Sequence, residues 1–196
     1  SYLDTTLYQL ALNSTYKTAL SNAKKKIDAV KSIDALEAAI AEAHALLDAV
    51  PTDAQITAAR VEACAQIDAE LAKYNPEDYT VNYEAMQQTA ETYKAQINKT
   101  VVISGMNSIN GLVTQFKSSL QTVQTDADLV AAINSIIPTL PDPATFDYES
   151  VSSSVYNNIL NCWKIYNKFS DTLKAQVEGI DKVDSLVLQI YVYELM

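Results

Sequence analysis

Residues 32–50 read Ser-Ile-Asp-Ala-Leu-Glu-Ala-Ala-Ile-Ala-Glu-Ala-His-Ala-Leu-Leu-Asp-Ala-Val, and this stretch decides the fold class. Its apolar residues recur at alternating intervals of three and four, at Ile33, Leu36, Ile40, Ala43, Leu47 and Val50. That period is typical of one face of an α-helix and does not match the strict alternation of a strand. Ser32 can cap the amino end, and Pro51 ends the pattern. We therefore predict an amphipathic helix between them.

The same period continues on both sides of this stretch. An earlier helix is predicted from about Thr5 to Val30, with Asn13-Ser14-Thr15 as a candidate break, and Thr52 with Gln55 forms a capping box for the next helix. Two further stripes have the same spacing: Val102, Met106, Ile109, Val113, Phe116, Leu120 and Val123, and then Tyr148, Val151, Val155, Ile159, Cys162, Tyr166, Phe169, Leu173, Val177 and Ile180. The second stripe predicts one long helix with a candidate break at Gly179, followed by a final helix. We expect an all-α fold with at least six helices and no sheet.

Composition agrees with that expectation. The chain has 196 residues, of which 48% are hydrophobic and 19% charged, so it does not resemble a disordered chain. Only 3 Gly and 5 Pro are present, too few for the tight turns of a β-sandwich or the glycine loops of nucleotide-binding folds.

Internal similarity indicates a tandem organisation. Thr80–Met86 matches Thr145–Val151, a weaker copy surrounds Tyr16, and the Thr-Asp pair at Thr52 recurs at Thr125. A period of roughly 65 to 67 positions suits a three-helix bundle. We predict an elongated array: a bundle over 1–75, a second bundle with a proline-rich exit linker over 76–143, and a helical hairpin over 144–196 that is a truncated third repeat. The alternative is a single larger bundle with one shared core.

A family resemblance rests on the junction motifs. A helix ending in apolar-x-x-Val leads into a Thr-Asp cap at Val50–Ala54, and Leu-x-x-Tyr-Asn-Pro-x-x-Tyr occupies Leu71–Tyr79. This order resembles the tandem three-helix modules, FIVAR-like modules included, of Gram-positive cell-wall-associated and secreted proteins, although the string Phe-Ile-Val-Ala-Arg is absent. The resemblance covers about the first 140 residues. It implies an extracellular or cell-wall location, spacing of adjacent domains of a longer chain, and in some cases binding of a host or cell-wall protein or glycan.

Charge and hydropathy argue against two classes of partner. The net charge is −10, which repels nucleic acid and anionic lipid headgroups. The single basic run, Lys24-Lys25-Lys26, has no aromatic residue within it and is interpreted as a solvated helix face. No apolar run approaches the roughly 20 residues of a membrane span. We expect neither nucleic-acid binding nor membrane insertion.

The residue types that carry catalysis are sparse. His44 is the single histidine and lies four positions before Asp48, but no nucleophile signature accompanies the pair. Cys64 and Cys162 occur in no metal or redox spacing and are interpreted as free and buried, with a disulfide between them as the alternative. We therefore expect no enzyme activity, no metal and no cofactor.

Tyrosine is the residue type with interaction potential, since the chain has 12 of them against 3 Phe and 1 Trp. The candidate partner-binding residues are Tyr74, Tyr79, Tyr83, Tyr148 and Tyr156. Tyrosine offers a large contact area with a polar end, although the same property suits packing at junctions between bundles. Two functions follow: a structural spacer or adhesive module of a larger secreted or surface protein, or a helical protein-binding domain that presents a Tyr-rich groove.

Overall fold

A computed structural model describes residues 2–11 and 15–196, and over these residues the fold is all α with no strand. The prediction of an all-α fold is confirmed. The helices are α1 Lys17–Asp28, α2 Leu36–Asp48, α3 Asp53–Leu71, α4 Tyr83–Lys99, α5 Ile109–Leu120, α6 Asp126–Ile136, α7 Ser153–Tyr166, α8 Asp171–Lys174 and α9 Ile180–Glu194. Single 3₁₀ turns occupy Thr5–Tyr8, Ile33–Ala35, Pro76–Asp78, Ile137–Thr139, Pro143–Thr145 and Tyr148–Ser150.

Several predicted helix boundaries differ from the structure. The described part of the first predicted helix consists of the 3₁₀ turn Thr5–Tyr8 and α1, and the candidate break at Asn13 and Ser14 lies outside the described residues. The helix predicted from Ser32 begins at Leu36, because residues Ile33–Ala35 form a 3₁₀ turn and the Ser32 side chain makes no capping hydrogen bond.

The long helix predicted near the carboxyl end is divided into α7, α8 and α9. The first break follows Tyr166, and Ser170 then caps α8 by accepting from the Leu173 N–H. The second break is Gly179, whose φ of 72° is in the left-handed region that glycine adopts without strain. Gly179 was the predicted break, whereas the break after Tyr166 was not predicted.

The chain divides into two compact units. The first consists of Ser1–Lys73 with Gln87–Gln121, and the second consists of Tyr74–Met86 with Thr122–Met196. This grouping differs from the predicted boundaries, because residues 87–121 were predicted to belong to a second bundle and instead group with the amino-terminal part of the chain.

In the first unit, α1 packs against α2 and α3 packs against α5. The α1–α2 contact contains three buried residues, Ala23 of α1 and Ala43 and Leu47 of α2. Ala43, Leu47 and Val50 of the predicted α2 stripe are buried, but Ile33 is 86% exposed. The buried face of α2 is centred on alanines because their small side chains allow the two helix backbones to approach closely.

In the second unit, α7 packs against α9 and α6 packs against α7. Its core contains Leu129, Val130, Ile133, Ile137, Leu140, Ile159, Cys162, Phe169, Val177, Val183, Leu186, Val187 and Ile190. Cys162 is therefore a buried core residue, whereas Cys64 in the first unit is only partly buried. Both thiols are free, and burial raises the pKa of each.

Gly111 near the start of α5 is required by close packing. A Cβ at this position would lie 2.8 Å from the carbonyl oxygens of Gly105 and Met106. We expect Gly111→Ala to lower the free energy of unfolding by about 1–3 kcal/mol through this overlap, although alanine alone favours a helix by about 1 kcal/mol. Urea denaturation followed by circular dichroism measures the change. Asn110→Ala, at an exposed neighbouring position, is the control, and equal stability of the two variants would contradict the packing argument.

Candidate functional site

One loop conformation occurs three times among the described residues. It begins at Asp4, Asn75 and Asp142, whose side-chain oxygens accept the backbone N–H two residues later at 3.0, 3.3 and 2.9 Å. In each case the backbone carbonyl of the same residue also accepts the N–H three residues later, at 3.2, 3.0 and 3.1 Å. An aromatic residue follows at the fifth position, as Tyr8, Tyr79 or Phe146. We call these three segments, residues 4–10, 75–81 and 142–148, the Asx loops.

Two of the Asx loops are closed by the first residue of a later helix. Asp53, which opens α3, accepts the N–H groups of Gln9 and Leu10 at 3.0 and 2.9 Å. Asp126, which opens α6, accepts those of Thr80 and Val81 at 2.8 and 3.2 Å and also the Thr80 hydroxyl. We call this arrangement the loop–helix junction; each junction lies within one compact unit.

A capping box holds each of these aspartates in place. Thr52 and Thr125 are the N-cap residues, and their hydroxyls accept the N–H groups of Gln55 and Asp128 at 3.2 and 3.1 Å. Hydrogen bonds with Thr125 lower the pKa of the Asp128 carboxyl. Because the cap fixes the first turn, the next carboxylate points out of the helix start toward the loop.

The third Asx loop lies beside a cluster of tyrosines at the end of α9. The Tyr148 ring stacks on Tyr193 at 4.1 Å between centroids and meets the edge of Tyr156 at 6.2 Å. The Tyr148 and Tyr156 hydroxyls both donate to Glu194, at 3.3 and 2.8 Å, and the Tyr193 hydroxyl donates to Glu149 at 2.8 Å. We call these five residues the tyrosine cluster.

The electrostatics of the cluster favour neutral phenols. Burial and the nearby Glu194 carboxylate raise the pKa of Tyr148, and the hydrogen bond to Glu194 raises the pKa of Tyr156. The hydrogen bond to Glu149 raises the pKa of Tyr193 in the same way. A tyrosinate beside either carboxylate would be repelled by it, so the folded state binds these phenolic protons more tightly than the unfolded state does.

An open cavity of about 440 Å³ adjoins the tyrosine cluster. It is lined by the third Asx loop and by the outward face of α9, with Phe146, Tyr148, Leu188, Val192, Tyr193 and Met196 as its apolar side chains. Leu188 is 64% exposed and Val192 is 52% exposed. This part of α9 therefore presents an apolar surface on the side opposite the core residues Val187 and Ile190.

The five predicted tyrosines all lie in the second unit, but they do not form one group. Tyr148 and Tyr156 belong to the tyrosine cluster. Tyr74 and Tyr79 form a separate edge-to-face pair at 5.4 Å, and Tyr83 is the partly buried first residue of α4. Tyr83 and Tyr148 are also not equivalent in the fold, because Tyr148 lies in a 3₁₀ turn ahead of α7.

The single histidine, His44, is partly buried and has an aromatic partner. The Tyr2 ring stacks on His44 at 3.8 Å, and the Tyr2 hydroxyl donates to both Asp48 oxygens at 3.1 Å. Among the described residues, no group of three His, Cys, Asp or Glu side chains is placed to hold a metal ion. No helix in that part of the chain is long and apolar enough to cross a membrane.

Comparison with protein-family models, curated proteins and solved structures found no match for this chain. The resemblance to FIVAR-like modules thus stays a prediction.

Alkaline pH tests the tyrosine cluster. Because the folded-state pKa of these phenols is raised, their contribution to stability is present below the ordinary tyrosine pKa of about 10 and is lost as pH rises through the folded value. We expect the urea midpoint to fall as the pH rises above about 10. The urea midpoint of the double variant Glu149→Gln/Glu194→Gln should fall less, because the two carboxylates that raise the tyrosine pKa values are absent. Deprotonation of lysines at alkaline pH affects both proteins alike. An identical loss in the two proteins would contradict the assignment.

Proposed function

We propose that this chain is a non-catalytic structural module that spaces adjacent domains of a larger secreted or cell-surface protein. The observation that carries the proposal is the loop–helix junction, which is built twice from the same residue types at Asp53 and Asp126. A junction made of local caps and one carboxylate can be repeated along a chain without a large shared core.

The repeated loop–helix junction supports a spacer more than a binder of small molecules. The polar side chains at the junctions are used in hydrogen bonds that fix loops to helix starts, and they leave little chemistry for a ligand. The secreted or cell-wall setting, and an adhesive contact with a host or cell-wall protein or glycan, come from the family resemblance alone.

The proposal is tested by joining two and three copies of the chain head to tail. Small-angle X-ray scattering gives the maximum dimension of each product. A spacer should lengthen by a constant increment for each added copy. A dimension that grows only as the cube root of mass would overturn the proposal, because the copies would then collapse on one another.

A second candidate function is a helical protein-binding domain, favoured by the cavity beside the tyrosine cluster. Its apolar lining and the exposed face of α9 are typical of a groove that receives a partner helix. Titration with candidate surface proteins, followed by the fluorescence of the single tryptophan Trp163 near Tyr191, would detect such a partner.

A further inference from the structure

The third Asx loop has the same construction as the other two, but no carboxylate within residues 2–11 and 15–196 closes it. Asp142 accepts the Ala144 N–H and the Thr145 N–H, just as Asp4 and Asn75 do at their loops. In the first loop, the N–H groups of the sixth and seventh residues, Gln9 and Leu10, are bound by the Asp53 carboxylate. The corresponding N–H groups of Asp147 and Tyr148 meet no acceptor in the described part of the chain.

Each of the three loops buries apolar side chains at least in part. Tyr8 in the first loop is 8% exposed, and Val81 in the second, like Phe146 and Tyr148 in the third, is partly buried against the core of the second unit. Phe146 and Tyr148 also line the open cavity, together with Leu188 and Val192. Asp147 and Tyr148, which carry the two unused N–H groups, are thus part of the cavity lining. In the other two loops, the corresponding N–H groups bind the aspartate at the start of a helix.

We propose that the third Asx loop and the outward face of α9 form a docking site for a helix that begins Thr-Asp-Ala-x-Ile or Thr-Asp-Ala-x-Leu. Both helices that close an Asx loop begin in this way, at Thr52 and at Thr125. The aspartate accepts the N–H groups of Asp147 and Tyr148. The apolar residue three positions later, which is buried in both existing junctions as Ile56 and Leu129, enters the cavity. The proposal deepens the proposed spacer role, since it names the contact that joins a further module.

The charge around the cavity distinguishes a helix that begins Thr-Asp-Ala from a basic peptide as the bound partner. Asp147, Glu149 and Glu194 lie at the rim of the cavity or next to it, and the whole chain carries −10. A docking aspartate is repelled by these carboxylates, so added salt should strengthen binding by screening the repulsion. A basic peptide attracted by the same acidic rim would bind more weakly as salt is added.

The test uses the full chain and a synthetic peptide with the sequence of residues 50–72, in which Cys64 is replaced by serine. Amide resonances of the chain are followed by NMR during titration, at low and at high salt. We expect the Asp147 and Tyr148 amides to shift, and the Asp53→Ala peptide to bind at least tenfold more weakly. In the chain, Val192→Asp at an exposed position should abolish the shifts while the circular dichroism spectrum stays the same.

Four outcomes would overturn the proposal. They are equal binding of the two peptides, shifts that leave Asp147 and Tyr148 unchanged, no binding at about 1 mM peptide, and self-association of the chain through the same residues. Failure of the peptide, with concatenated copies still lengthening by equal increments, would remove only the docking site. Collapse of the concatenated copies, with the peptide still bound, would remove only the spacer role.

Discussion

Replacing Phe116 by alanine is expected to lower the free energy of unfolding by about 3–5 kcal/mol. Phe116 has no exposed surface and lies on the buried face of α5. Its ring contacts Tyr93 of α4 edge to face at 5.7 Å between centroids, and such a pair adds about 1 kcal/mol to the value of burial alone. Truncation to alanine removes both the burial and the aromatic contact. It also leaves a cavity that the surrounding helices can close only in part.

Urea denaturation followed by helical circular dichroism measures this effect. Val61→Ala is the matched control, because Val61 lies on α3 of the same unit and is mostly exposed. We expect the control to change the free energy of unfolding by less than about 0.5 kcal/mol. A Phe116→Ala variant as stable as the control would show that α5 does not pack as described.

The helices could be predicted from the sequence because apolar residues spaced three and four positions apart reflect the local geometry of an α-helix. The sequence predicted the buried face of α2 less well, since both faces of that helix carry apolar residues. Ile33 and Ile40 are more hydrophobic than Ala39 and Ala43, yet the alanines are buried. Close approach of α1 decides the orientation, and nothing in the α2 sequence encodes which helix its face will meet.

The candidate site shows the same limit. Tyr148 and Tyr156 were found by their residue type, but Tyr193, Glu149 and Glu194 were missed because they join the cluster through contacts distant in sequence. Two of the three Asx loops could have been found, since Asn75-Pro76 and Asp142-Pro143 are sequence signals for a turn with a side-chain acceptor. That the loop at Asn75 meets Asp126, the aspartate of a later capping box, could not be predicted from either motif alone.

The loop–helix junction itself predicts a large effect of Asp126→Ala. Asp126 is only 4% exposed, and its carboxylate accepts two backbone N–H groups and the Thr80 hydroxyl. Hydrogen bonds to a charged group contribute roughly 1.5–3 kcal/mol each, and partial hydration of the freed loop recovers some of this. We expect the free energy of unfolding of the second unit to fall by about 2–4 kcal/mol.

Trp163 gives a signal specific to that unit, because it is the single tryptophan and packs against the core that contains Leu129 of α6. Its fluorescence during urea denaturation therefore measures the unfolding of the second unit.

Asp126→Asn keeps the shape of the side chain and one acceptor oxygen but loses the charge. Its free energy of unfolding should therefore lie between those of the alanine variant and the natural chain. Asp184→Ala, at an exposed position on α9, removes a carboxylate with no role in the junction and should be nearly neutral. If Asp126→Ala and Asp184→Ala shift the Trp163 transition equally, the junction contributes nothing beyond general charge. A graded loss from Asp184→Ala through Asp126→Asn to Asp126→Ala would instead assign the stability to the hydrogen bonds that the Asp126 carboxylate accepts from Thr80 and Val81.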